Sequence, residues 1–273
     1  MKTVLVTGAS AGIGEATVKL FLQHGFKVYA AARRIEKMEE LKKMGAIPVQ
    51  MDVTDNSSME AGIEKINQES GGVDILINNA GYGSLGSVEE VSIEEAKRQF
   101  EVNIFGLARL TQLVIPHMRE MKWGKIVNIS SIGGKIYEPL AGWYHATKFA
   151  LEGLSDCLRL ELKSFGINVI VVEPGPIRSE WGDIASENLV KSSGNGPYRK
   201  IAEGMINNFK NFYTENRSSP PEEIARIIFK SVLKRRPHIR YPAGKGASLI
   251  LLGRKLFSDR IFDMAMLSMV KGK

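Results

Sequence analysis

The chain has 273 residues, 44% of them hydrophobic and 25% charged, which excludes a disordered, collagen-like or fibrous protein. Its lone cysteine, Cys157, closes no internal disulfide, so the fold is expected to rest on core burial and the compartment to be the reducing cytoplasm. The net charge of +7 is unevenly placed: residues 1–229 hold 26 Lys and Arg against 28 Asp and Glu, whereas residues 230–273 hold 11 against 2, and a basic tail built on aliphatic stretches is not the pattern of a nucleic-acid module.

A first strand is predicted over 2–7, directly after Met1, which leaves no room for a signal peptide. A glycine-rich turn and a helix over 12–24 follow, then strands over 26–32 and 47–52, a helix over 56–70 and a strand over 73–78. A long helical pattern over 93–121, a strand over 124–130, a helical stretch over 151–162 and a strand over 167–173 continue the alternation, with a seventh strand near 238–241. Nowhere does an apolar run approach the ~20 residues that span a bilayer. Short β-branched runs alternating with amphipathic helices predict an α/β fold, a doubly wound parallel sheet of the Rossmann type covered on both faces. One domain is expected over 1–245. Within it, 180–219 contains Ser192-Ser193-Gly194-Asn195-Gly196-Pro197 and ends at Pro220-Pro221; it reads as a mobile insertion over the carboxyl edge of the sheet, where open α/β sheets bind ligands. Residues 246–273 form a basic amphipathic extension, a helix or helix pair whose Leu, Ile, Phe and Met clusters interleave with Arg254, Lys255, Arg260 and Lys271. Packing on the domain or across a dimer is the expectation, and a weak peripheral contact with anionic lipid is the alternative.

The turn Thr7-Gly8-Ala9-Ser10-Ala11-Gly12-Ile13-Gly14 joins the first strand to the first helix. Its glycines permit a tight bend and close backbone approach to a diphosphate facing the helix N-terminus, although a plain glycine-rich turn has the same composition. The T-G-x-x-x-G-x-G spacing resembles that of the short-chain dehydrogenase/reductase family, and the resemblance continues in order. Asp52-Val53 ends the third strand, Asn78-Asn79-Ala80-Gly81 ends the fourth, and Asn103 falls in the long helix. Ser131, Tyr144 and Lys148 reproduce S-x12-Y-x3-K, and Pro174-Gly175-Pro176-Ile177-Arg178-Ser179 follows the sixth strand, with Ser where the family usually has Thr.

The resemblance implies a nicotinamide dinucleotide. Gly8, Ser10, Gly12, Ile13 and Gly14 would hold its diphosphate, Asp52 and Val53 its adenine, and Asn79, Ala80 and Gly81 a ribose. Pro174, Gly175, Ile177 and Ser179 would flank the nicotinamide together with Tyr144 and Lys148. NAD-selective members place an acid at the end of the second strand; here Ala32 stands there, followed by Arg33 and Arg34, so NADP(H) is expected, with NAD(H) the alternative. Ala11, where some NADP-dependent members carry a second basic residue, departs from that pattern.

Tyr144 and Lys148 are four apart on one helical face, and an ammonium beside a phenol favours the phenolate, which predicts a Tyr144 pKa below its usual ~10. Tyr144 is then the general acid and base, Ser131 the second partner of the reacting oxygen, and Asn103, by resemblance, a support holding Lys148 through a water. The implied activity interconverts an alcohol and a ketone or aldehyde on a lipophilic small molecule, as in members acting on steroids and retinoids, with a 3-oxoacyl-thioester reductase as the alternative. A non-catalytic NADP(H)-binding regulator would not need the complete set of four. Trp143, Trp181, Leu140 and Phe212 are expected around the cleft mouth, and a homodimer or homotetramer is the implied assembly. His24, His117, His145 and His238 lack ligand spacing, so no metal is expected; His145 is read as pointing away from the substrate, and Cys157 as a buried small side chain.

Overall fold

Val4, Leu5 and Val6 are fully buried because β1 (Thr3–Thr7) runs through the middle of a parallel sheet covered on both sides, the setting in which strands read as unbroken apolar runs. The structure, a computed structural model, describes residues 1–214 and 217–270; Glu215, Asn216 and the end of the tail from Lys271 onward lie outside the described residues. The remaining strands are β2 (Lys27–Ala32), β3 (Ile47–Gln50), β4 (Ile75–Asn78), β5 (Gly124–Ile129), β6 (Ile167–Pro174) and β7 (Arg240–Ala243). They lie in the order β3-β2-β1-β4-β5-β6-β7, every neighbouring pair parallel. This is the single doubly wound domain that the alternation predicts. The helices are α1 (Gly12–Gln23), α2 (Glu39–Lys43), α3 (Asn56–Ser70), α4 (Ile93–Phe100), α5 (Leu107–Glu120), α6 (Gly142–Leu162), α7 (Glu180–Ser193), α8 (Arg199–Phe212), α9 (Pro221–Leu233), α10 (Ala247–Leu256) and α11 (Asp259–Val270). Among the described residues none is long and apolar enough to cross a membrane.

On one face Phe21 of α1 meets Phe229 of α9 edge to face, centroids 5.1 Å apart, a geometry that aromatic quadrupoles favour. On the other, Ile63, Ile66, Leu110, Val114 and Leu162 of α3, α5 and α6 close over Leu5, Leu76 and Ile126. The strand order turns back between β1 and β4, so the loops leaving their carboxyl ends diverge and open the crevice in which such sheets bind ligands.

Four expectations are corrected. The helix predicted over 93–121 is interrupted by a π turn, Glu101–Gly106; Gly106 lies so close to Val53 that a Cβ there would run into the Val53 carbonyl oxygen. Residues 180–219 are mostly two packed helices, α7 and α8, with Ala185, Leu189, Ala202 and Met205 buried against Leu85, Leu140 and Val270. The last strand begins two residues later than expected, at Arg240. Cys157 is exposed, because α6 buries Leu151, Ser155 and Leu162, and Cys157 falls off that stripe.

Beneath the carboxyl end of the sheet two buried glutamates, Glu152 and Glu173, meet the partly exposed cations Arg240 and Lys135. Arg240 Nε is 2.9 Å from Glu152 Oε2 and 3.7 Å from Glu173 Oε1, and Lys135 Nζ is 3.2 Å from Glu152 Oε2. Burial, reinforced by the charge of Glu152, pushes the Glu173 carboxyl up to about 7. Its pKa is thus higher folded than unfolded, so its proton stabilises the fold in acid, and that stabilisation is lost as pH rises through about 7. Glu173→Gln should therefore be more stable than the parent at pH 8, by about 1–3 kcal/mol, and differ little at pH 4. Urea unfolding at the two pH values checks this; an identical difference at both would contradict it.

Candidate active site

The turn after β1 is built for close approach. Gly8 and Gly12 hold φ of +63° and +58°, and a Cβ on Gly8 would stand 2.8 Å from Asn79 Nδ2 and 3.0 Å from Ala80 Cα. A Cβ on Gly14 would strike the Gly8 carbonyl oxygen. Asn79 closes this cradle: its Nδ2 donates to the carbonyls of Thr7 at 2.9 Å and Gly8 at 3.2 Å, while Thr7 Oγ1 accepts from the Asn79 and Ala80 amides at 3.0 Å each. The N-cap residue of α1, Ala11, offers no side-chain cap, so the first amides of that helix remain for an anion.

At the end of β2, Ala32 is 7% exposed, and Arg33 and Arg34 rather than an acid come directly after it. Arg34 Nη2 is engaged at 3.1 Å by Glu180 Oε2 and at 3.4 Å by Ser10 Oγ, and Lys37 Nζ reaches Glu180 Oε1 at 3.1 Å. The guanidinium of Arg33 has no hydrogen-bond or ion-pair partner among the described residues, and it stands at the rim of the cavity. Asp52 Oδ1 accepts from the Thr54 amide and hydroxyl at 2.9 and 2.8 Å.

Tyr144 and Lys148 lie one turn apart at the start of α6, with Lys148 Nζ 5.9 Å from the Tyr144 ring centroid and donating to the Ile129 carbonyl at 2.9 Å. Burial pushes Tyr144 up to about 12, opposed by the Ser131 hydroxyl and aided by the charge of Glu138. Burial also draws Lys148 down to about 8, against the pull of Glu152. The low Tyr144 pKa expected from the sequence is therefore not what this geometry produces: removal from water is the largest influence on both groups. Ser131 Oγ accepts from the Gly133 amide at 3.0 Å and donates to the Pro174 carbonyl at 3.4 Å, which orients it over the same ground.

Asn103 sits in the π turn, a placement often associated with function. Its Nδ2 donates to the Tyr82 carbonyl at 3.0 Å and to Thr147 Oγ1 at 3.1 Å, and its Oδ1 accepts from the Tyr82 amide at 3.1 Å. Thr147 in turn donates to the Tyr144 carbonyl at 2.8 Å. Asn103 thus fixes the turn between Tyr144 and Lys148 rather than touching Lys148. His145 is buried with Nδ1 2.8 Å from the Gly133 carbonyl, so Nδ1 carries the proton and Nε2 accepts from the Glu138 amide at 3.0 Å. Burial lowers its pKa, and the neutral ring serves as a brace between two points of one loop.

These groups share one cavity of about 700 Å³. Every sequence-predicted site residue lines it except Gly14, which lies behind the turn, and Asn103, which acts through Thr147. Its far half is walled by Trp181, Phe209, Phe212 and Tyr213 from α7, α8 and the residue after it, and by Ile250, Met266 and Met269 from the tail helices. The Trp181 ring lies 5.2 Å from that of Tyr144 and 6.4 Å from that of Tyr213. Of the four side chains expected at the mouth, Trp181 and Phe212 are there. Leu140 is instead buried among α7 and α8 residues, and Trp143 lies outside the lining with its Nε1 enclosed. Sequence reasoning missed Glu138, Glu180, Tyr213, Met266 and Met269, none of which follows a motif or a fixed spacing.

The family model for short chain dehydrogenases matches residues 2–189. The chain belongs to the short-chain dehydrogenase family. A 3-ketodihydrosphingosine reductase of Bacteroides thetaiotaomicron is 36% identical to this dehydrogenase over 88% of the chain and 87% of its own length. An NADPH-dependent 3-dehydrocapnine reductase of Ornithobacterium rhinotracheale is 33% identical over 96% and 95%. Among solved structures, a short-chain dehydrogenase from Streptomyces avermitilis shares the fold with a TM-score of 0.82 at 32% identity, covering 98% of this chain and 95% of that one. A closed serine dehydrogenase complexed with NADP+ gives 0.76 at 28% identity, covering 88% and 93%. This dehydrogenase is an oxidoreductase of CH–OH groups that uses a nicotinamide nucleotide.

Proposed function

We propose that this dehydrogenase is an NADPH-dependent reductase of a ketone carried by a long apolar molecule, working in reverse on the corresponding alcohol. The observation that carries the reading is a single cavity with two halves: a glycine cradle under an uncapped helix N-terminus at one end, an aromatic and methionine wall at the other, and the Tyr144 and Ser131 hydroxyls where the halves meet. The cradle that a Cβ would fill, and the cation at Arg33 where a carboxylate would otherwise stand, fit a dinucleotide with a 2′-phosphate. When bound, that cofactor supplies or accepts hydride at the nicotinamide. Tyr144 donates its phenolic proton to the carbonyl oxygen as that oxygen gains charge, and Ser131 donates a second hydrogen bond to the same oxygen. Lys148 offers its ammonium to the phenolate left behind, and Asn103, through Thr147, keeps the turn that spaces the two. Two relatives whose names state reduction of a 3-keto or 3-dehydro compound, one of them NADPH-dependent, support both direction and cofactor. Loss of NADPH absorbance with long-chain ketones, measured beside short water-soluble ones, tests the reading; activity confined to short polar ketones would overturn it.

A homodimer or homotetramer is the proposed assembly, supported by exposed Phe105 and Phe149, 55% and 45% accessible, on the π turn and on α6. Light scattering on the purified chain tests it. The tail helices are proposed to wall the cavity and, secondarily, to touch anionic membrane weakly. They bury Phe262 and Val270 and leave Leu249, Leu252, Leu256 and Phe257 exposed beside Arg254 and Lys255. Truncation after Gly246 should lower Tm by roughly 5–10 °C, because buried apolar side chains are lost, and should depress activity on bulky apolar substrates most. An unchanged Tm with complete loss of vesicle binding would reverse the ranking of the two roles.

A further inference from the structure

Glu138 is a carboxylate that the mechanism above does not use. It lies seven residues after Ser131 on the loop that leads to Tyr144, and it lines the cavity with them. Its backbone is fixed: the amide donates to His145 Nε2 at 3.0 Å, and the other nitrogen of that ring is held by the Gly133 carbonyl at 2.8 Å. Its carboxylate has no hydrogen-bond or ion-pair partner among the described residues. Other polar side chains of the same loop are matched, Lys135 with Glu152 at 3.2 Å and the Tyr137 hydroxyl with Asp263 Oδ1 at 2.8 Å. An unpaired acid at the wall of a cleft marks a candidate binding site.

Resting on the reductase reading, we infer that Glu138 receives an ammonium group of the substrate adjacent to the reacting carbonyl, so that the preferred substrate is a long-chain α-amino ketone in its cationic form. The position suits this. The carbonyl oxygen must meet the Tyr144 hydroxyl, and an amine on the neighbouring carbon lies within about 3 Å of that oxygen by bond lengths alone. The Glu138 amide sits 3.0 Å from His145 Nε2, the His145 ring lies 5.8 Å from that of Tyr144, and Glu138 and Tyr144 line the same cavity. Trp181, Phe209, Phe212, Met266 and Met269 are left to take the apolar chain. An N+–H to carboxylate contact is stronger than one from a neutral hydroxyl, whereas an anionic group beside the carbonyl would be repelled. The ammonium would also cancel the push that Glu138 exerts on Tyr144, easing its ionisation only when the matching substrate is bound.

The test uses the full chain with NADPH and two ketones of equal length, a long-chain 2-amino-1-hydroxy-3-ketone and the same molecule without the amine. The parent should favour the amino ketone in kcat/KM by 30-fold or more. Glu138→Gln should bring the two within about threefold, losing on the amino ketone chiefly through KM while the neutral ketone is unchanged or improved, and Glu138→Asp should keep part of the preference. A parent without preference, or a Gln variant that loses equally on both ketones, overturns the assignment. Should neither ketone be reduced, the reductase reading fails by itself, and the subsite is then judged by calorimetry with a long-chain 2-amino alcohol and its deaminated analogue. Tighter binding of the cation to the parent, erased in Glu138→Gln, supports the subsite, and equal affinities in the two proteins overturn it. The Tm of Glu138→Gln should equal or exceed that of the parent, since an unpaired acid is removed.

Discussion

Tyr144→Phe should lower kcat by at least 10²- to 10⁴-fold, the usual contribution of a positioned proton donor, while NADPH binding stays within about twofold of the parent. The variant removes one oxygen and keeps the ring, whose contact with Trp181 at 5.2 Å between centroids needs no hydroxyl. The fold should not suffer either, because no hydrogen bond that holds an element in place ends on that oxygen. Ser131→Ala should follow with a smaller loss, since its hydroxyl shares the reacting oxygen rather than supplying the proton. Stopped-flow turnover on a substrate that the parent reduces, set beside cofactor titration, separates the two quantities. A Phe variant with near-native kcat would mean that another group carries the proton. The pKa of about 12 at Tyr144 adds a directional expectation: in this geometry the phenol is protonated at neutral pH, so reduction, which needs a donor, should be the easier direction near pH 7, and oxidation should rise with pH.

The parts of the site that could be read from the chain are those in which chemistry demands fixed residue types at a fixed spacing along one element. The glycines at 8, 12 and 14 and the Tyr144–Lys148 pair one helical turn apart belong to this class, and both fall where the strand and helix pattern places them. Asn103 was found by position, but its direct partners were not: its amide spans from the Tyr82 backbone to Thr147 because a π turn, which no apolar period announces, points it there. Side chains that enter the cavity from elsewhere left no signal. Met266 and Met269 come from the last helix, and Glu180 crosses from α7 to Arg34 and Lys37. Glu138 sits on an irregular loop, where period carries no information about direction. Leu140 and Trp143 show the converse failure. The family resemblance suggested the cleft mouth, but packing between α7 and α8 took Leu140 into their shared core.

Arg33→Ala should weaken NADPH binding roughly 10- to 100-fold and change NADH binding hardly at all, because a charge-assisted contact to phosphate is worth on the order of 1.5–3 kcal/mol and only NADPH carries the 2′-phosphate. The structure narrows the choice between the two arginines. Arg34 is already engaged by Glu180 at 3.1 Å, and moving it to a phosphate means giving up that pair. Arg33 has no such tie among the described residues, and its guanidinium stands exposed at the rim beyond Ala32. Arg34→Ala should accordingly cost less than Arg33→Ala, and Glu180→Gln, by releasing Arg34 and Lys37 toward the phosphate, should tighten NADPH modestly and leave NADH alone. Because these cations are exposed, the discrimination should shrink as salt rises from low ionic strength through 0.15 M and beyond, where the screening length falls to about 8 Å and less. Fluorescence titration of both cofactors against the parent and the three variants at two salt concentrations measures all of these terms. Equal dissociation constants for NADPH and NADH in the parent would show that Ala32 and Arg33 do not select the phosphate, and a larger loss in Arg34→Ala than in Arg33→Ala would show that the Glu180 pair yields to the cofactor.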